Sequence, residues 1–75
     1  MLFGKKITKI LTVEGMHCMH CAKATETALK SLPGVTDVKV ELETKKVTVT
    51  SRSPLEDEAM KQAVKDAGFE VVDIQ

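Results

Sequence analysis

Cys18 and Cys21 are the only cysteines in a chain of 75 residues, and both lie in the run Gly15-Met16-His17-Cys18-Met19-His20-Cys21. The C-x-x-C spacing lets two thiols face the same way, so one soft metal ion or one disulfide can join them. Thiolates are soft ligands that favour Cu(I), with Zn(II) the common competitor. Two suffice for a two-coordinate Cu(I) ion, whereas a closed zinc site takes four protein ligands. Thiol–disulfide exchange is the other chemistry open to the pair, although no thioredoxin-like sequence surrounds it. Haem attachment would need His directly after the second cysteine, and that residue is Ala22.

His17 and His20 are expected as exposed loop residues rather than direct ligands. A helical His20 would be rotated by about 100° from Cys21, so four side chains do not converge easily on one ion. As imidazolium, His20 would still favour thiolate beside it. Met16 is expected to anchor the loop by packing, since methionine fills irregular gaps in cores. Met19, between the cysteines, is expected to be exposed.

The elements that must hold this loop follow from periodicity. Ile7–Val13 reads as a strand, with Leu11 and Val13 two apart. Cys21–Leu32 reads as a helix, with Cys21, Thr25, Ala28, Leu29 and Leu32 on one face and Pro33-Gly34 as its stop. Cys18 then belongs to a loop and Cys21 to the first helical turn or its edge. Free N–H groups and the positive end of the helix dipole favour thiolate there. Val38, Val40 and Leu42 alternate with Lys39, Glu41 and Glu43, a half-buried strand. Glu43–Lys46 turns the chain into a third strand carrying Val47 and Val49. Ser53-Pro54-Leu55-Glu56 matches a capping box with Pro at the first helical position. Met60, Ala63, Val64 and Ala67 recur at helical spacing, Gly68 is the expected C-cap, and Phe69–Ile74 is the last strand. The order β-α-β-β-α-β predicts an α+β, ferredoxin-like sandwich: a four-stranded antiparallel sheet with both helices on one face. The other face, with Thr8, Lys39, Glu41 and Thr48, is expected to meet water.

Composition narrows the function. The chain is expected to form one domain, 1–75, too small for a deep pocket. Hydrophobic residues are 43% of the chain, which suits a folded protein rather than a disordered one. Eleven basic and eleven acidic residues cancel, which removes the simplest case for nucleic-acid or anionic-membrane binding. RNA-recognition motifs share this element order but stack bases on aromatics of the central strands. Ile7–Val13 and Val47–Thr50 hold none, and the chain has no Trp or Tyr. No apolar run reaches the length of a membrane span, and Met1–Lys6 lacks the pattern of a signal peptide. The expected setting is cytoplasmic, where thiols stay reduced.

Gly15-Met16-x-Cys18-x-x-Cys21 resembles the metal-binding motif of heavy-metal-associated domains, which comprise copper chaperones and the N-terminal domains of copper-transporting P-type ATPases. The likeness spans nearly the whole chain: Leu11-Thr12-Val13-Glu14-Gly15-Met16 ahead of the motif, Leu32-Pro33-Gly34-Val35 and Val38-Lys39-Val40 after the first helix, and Ala63-Val64-Lys65-Asp66-Ala67-Gly68-Phe69 at the end of the second. The resemblance implies the same β-α-β-β-α-β fold and Cu(I) held by Cys18 and Cys21, with no enzymatic turnover. It implies delivery through shared thiolates to the metal-binding domain of a copper-transporting P-type ATPase. Independently of the resemblance, a two-coordinate ion on an exposed loop has open coordination space that His20 or a second chain's cysteine can fill, so a copper-bridged homodimer is expected at high concentration. His20 stands where His is common in the bacterial chaperones. Phe69 stands where those usually carry Tyr, and supports the loop by packing only. Thr25 stands where the family usually carries a larger aliphatic residue. The loop lacks the extra acidic residue of zinc-selective members, so Zn(II) is expected to bind more weakly. Met1 and the short length suggest a free chaperone; a domain excised from an ATPase is the alternative reading, and a thiol–disulfide redox protein a more distant one.

Overall fold

The computed structural model describes residues 6–75; the first five residues of the expected 1–75 domain, including most of the segment Met1–Lys6, lie outside the described residues. The elements are β1 (Ile7–Glu14), α1 (Met19–Lys30), β2 (Val35–Glu41), β3 (Lys46–Ser51), α2 (Asp57–Asp66) and β4 (Glu70–Ile74). They form one four-stranded sheet in the order β2-β3-β1-β4, with every neighbouring pair antiparallel. β1 and β2 therefore run parallel with β3 inserted between them, the split β-α-β arrangement that the element order predicts.

Strand alternation sends one set of side chains to the helices and the other to water. Leu11 and Val13 of β1, Val38 of β2 and Val47 and Val49 of β3 join Leu29 of α1 and Met60 and Val64 of α2 in one buried cluster. A single cluster containing both helices requires them to share one sheet face. Thr8, Lys39 and Glu41 are exposed and Thr48 is half-exposed on the other. One irregularity keeps β4 amphipathic. Thr12 pairs with Asp73 and Val13 with Val71, so Val72 is an extra residue in a bulge. The bulge turns Val72 outward, at 53% exposed, and lets both Val71 and Ile74 pack against the core.

Both helices begin elsewhere than the sequence suggests. α1 runs from Met19 to Lys30 rather than from Cys21 to Leu32, because the Cys18 carbonyl already accepts the Ala22 N–H at 3.1 Å. Its buried residues are Ala22, Thr25 and Leu29; Ala28 and Leu32 are only half-buried. α2 starts at Asp57, with Glu56 as N-cap and no side-chain cap hydrogen bond, so the capping box over Ser53–Glu56 does not form. Ser53 is instead tied to the end of β3: its N–H donates to Ser51 Oγ at 3.2 Å, and Ser51 Oγ is also hydrogen-bonded to the Ser53 carbonyl. Pro54 and Leu55 remain non-helical in consequence. α2 ends one residue before the expected cap: Ala67 is the C-cap, and Gly68 follows it at φ +98°.

Candidate metal centre

β1 delivers the chain to the loop at Glu14, and Gly15 turns it with φ +98°, a conformation that glycine adopts without steric cost. A Cβ at Gly15 would lie 3.2 Å from Phe69 Cδ1, so the loop and the entry to β4 are in close contact. Met16 then drops into the core, only 4% exposed, the packing anchor expected of it. Buried on one side by Met16 and continued on the other by α1, the segment His17–Cys18 is held out toward solvent.

Cys18 is the N-cap of α1, with extended backbone at φ −152° and ψ 175°. Cys21, three residues on, is therefore at the third helical position. These are the two positions that face each other in a capping box, which is the physical reason a C-x-x-C at a helix start brings two side chains together. The two sulfurs lie 3.6 Å apart, and both thiols are free. That gap is too wide for a disulfide of about 2.05 Å. At that separation both sulfurs can reach one soft metal ion. Cys18 is exposed, whereas Cys21 is half-buried and packs against the core.

The helix start also sets the charge state. The Cys18 thiol titrates below its ordinary value, chiefly because the Cys21 backbone N–H favours the thiolate, then through the Cys21 S–H and the His20 backbone N–H. No acidic residue occupies the first turn of α1, so no carboxylate competes for those N–H groups. His17 and His20 are exposed. Among the described residues no three His, Cys, Asp or Glu side chains are arranged to hold one metal ion, so the histidines are not gathered with the cysteines. Met19 is 74% exposed beside the pair. Phe69 is half-buried against the core and meets the loop at Gly15.

Thr25 joins the site in a role that its place on the inner helical face does not reveal. Thr25 is fully buried, and its hydroxyl donates to the Cys21 carbonyl at 3.1 Å. Its spacing, four residues beyond Cys21, is the one signal in the sequence for this bond, and the same spacing also marks an apolar face.

The sequence matches the Heavy-metal-associated domain over residues 10–70. The chain belongs to that family. Among its relatives is the copper chaperone CopZ of Staphylococcus haemolyticus, 42% identical over 66 residues that cover 87% of this chain and 97% of that protein. A second relative, copper-transporting ATPase 1 of Rhizobium meliloti, is 42% identical over 67 residues, which are 89% of this chain but 8% of the ATPase. A solved CopZ metallochaperone superposes with a TM-score of 0.82 at 43% identity, covering 88% of this chain and all of that one. Heavy-metal-associated domains thus occur both as small separate proteins and inside a transporter.

Proposed function

We propose that this heavy-metal-associated domain carries Cu(I) on Cys18 and Cys21 and hands it to the metal-binding domain of a copper-transporting P-type ATPase in the cytoplasm, without catalytic turnover. The observation that carries the reading is the pair of free thiols 3.6 Å apart at the start of α1, where helix N–H groups favour thiolate. Likeness to copper chaperones and to one segment of a copper ATPase supports the choice of metal and partner. Two soft ligands without a gathered third suit Cu(I), and leave Zn(II) the weaker occupant with water or an imidazole completing its shell.

Handover follows from under-coordination. An incoming thiolate of the acceptor adds to the ion and makes it three-coordinate. One original sulfur then leaves, so the ion is never free. Cys18, exposed at the N-cap, meets the acceptor first; Cys21, packed against the core, releases last. Docking depends on local charge around the loop, since the chain has no net charge. Lys23 is exposed on α1, whereas Lys30 is paired with Glu26 at 2.9 Å and contributes less. The same open coordination allows a second chain's cysteine or His20 to bridge two loaded domains at high concentration, which sedimentation with and without Cu(I) resolves.

The test is transfer from the loaded domain to a C-x-x-C domain of a copper ATPase in the presence of a chelator that traps free Cu(I). Direct handover predicts transfer faster than the chelator strips the ion. Transfer no faster than stripping leaves storage or sensing as the function.

A further inference from the structure

Thr25 is the one fully buried polar side chain of α1. Its hydroxyl donates to the carbonyl of Cys21, one helical turn earlier, at 3.1 Å. A fully buried hydroxyl does not readily leave its partner, because an unpaired buried donor carries its full desolvation penalty. No buried side-chain polar atom is left without a partner among the described residues, so this bond satisfies the group. The branched Cβ of threonine further restricts its rotamer. The Cys21 carbonyl is thus held by the buried Thr25 side chain in addition to its place in the helix. No buried side chain holds the backbone of Cys18 in this way: it is exposed, and its sulfur meets only the N–H groups and the Cys21 thiol of the first turn.

We propose that Thr25 is a positioning residue: its buried hydroxyl, bonded to the Cys21 carbonyl, fixes Cys21 as the stationary sulfur of the pair and leaves Cys18 as the mobile one. The proposal deepens the carrier reading and rests on it for its consequence in copper release. An aliphatic residue at 25 would fill the core equally well, so the hydroxyl is not required for packing. It serves the first turn. With that turn pinned, the last Cu–S bond to break is the one from a sulfur that does not follow the departing ion, and release waits for an acceptor.

The test compares Thr25→Val, which removes the hydroxyl but keeps the shape, with Thr25→Ser, which keeps the hydroxyl and loses a methyl group. Three quantities are read in each: thermal stability, the rate of Cu(I) release to a chelator, and amide hydrogen exchange across Cys21–Thr25 in the metal-free protein. Thr25→Val is expected to match or exceed wild-type stability, yet to release Cu(I) about three- to tenfold faster, the scale of one hydrogen bond, with faster exchange in the first turn. Thr25→Ser is expected to be less stable yet to keep wild-type release and exchange. Release tracking stability across both variants, or unchanged in Thr25→Val, overturns the proposal. Should wild-type protein fail to bind Cu(I), the carrier reading fails by itself. The exchange measurement then decides the positioning of Cys21 alone: unchanged exchange in Thr25→Val refutes it.

Discussion

The two helices begin at opposite ends of the sheet and meet the same electrostatic problem in different ways. Each starts with unpaired N–H groups and the positive end of a dipole, and neither has a side-chain cap hydrogen bond. α2 answers with Asp57 and Glu58 in its first turn, and Lys9 comes within 3.8 Å of Asp57. α1 has no acid in its first turn and presents its N–H groups to the sulfur of Cys18. One terminus is neutralised by its own sequence. The other is left for a thiolate, and through it for a metal ion. The turns beside these termini differ likewise. At the α2 end Ser51 Oγ links the Gly34 carbonyl to the backbone of Ser53, whereas at the α1 end His17, Cys18 and His20 are exposed.

Removing the sulfurs should break the contrast most severely. Cys18→Ser or Cys21→Ser replaces a thiolate by a harder, protonated oxygen and should lower Cu(I) affinity by more than the roughly 10–100-fold typical of losing a merely supporting group. Anaerobic competition against a Cu(I) chelator measures this, and circular dichroism should show the fold intact. Glycine replacements separate the two ends next. Gly34 has φ +90°, and a Cβ there would meet Ser53 Oγ. Gly34→Ala should cost about 1–3 kcal/mol of stability, the scale of a strained backbone, with Cu(I) affinity unchanged in the folded protein. Gly15→Ala should cost a similar amount and also weaken Cu(I) binding, because relief of its contact with Phe69 must shift the loop. Equal affinities in the two variants would disprove the separation.

Thiol reactivity sharpens the comparison further. The Cys18 thiol is lowered by folding, so its alkylation should persist to lower pH than that of a cysteine in the unfolded chain. The sign for stability follows. The contribution is full above the unfolded thiol's pKa and is lost as pH falls through the folded one. Peptide mapping after alkylation across pH measures the difference. A Cys18 profile coinciding with the unfolded chain's would show that the helix start does not act on it. The smallest effect belongs to α2. Asp57→Asn and Glu58→Gln should each cost about 0.3–1 kcal/mol, read by denaturant unfolding, and leave Cu(I) affinity untouched.

The fold was legible where period alone decides it. Val47 and Val49 two apart, and Met60 and Val64 four apart, name a strand and a helix whose inward faces the structure buries. The C-x-x-C pair was legible because only one element start could bring it together. What was not legible depends on pairings that no local pattern records. Ser53 resembles an N-cap, but its backbone is claimed by Ser51 across the end of β3, so α2 starts three residues later than the capping-box pattern suggests. The bulge at Val72 depends on the register with β1. Thr25 looked like one position on an apolar face, and its bond to Cys21 emerges only once the core closes over it. The cysteines take the N-cap and third helical positions of α1, where no side-chain cap hydrogen bond forms.

X-ray absorption at the copper edge, on dilute protein loaded with one Cu(I) per chain, tests the central claim most directly. A two-thiolate site gives an inner shell of sulfur, with no imidazole contribution, that disappears in the Cys18→Ser, Cys21→Ser double variant. A shell dominated by nitrogen or oxygen, or one unchanged in the double variant, would contradict it.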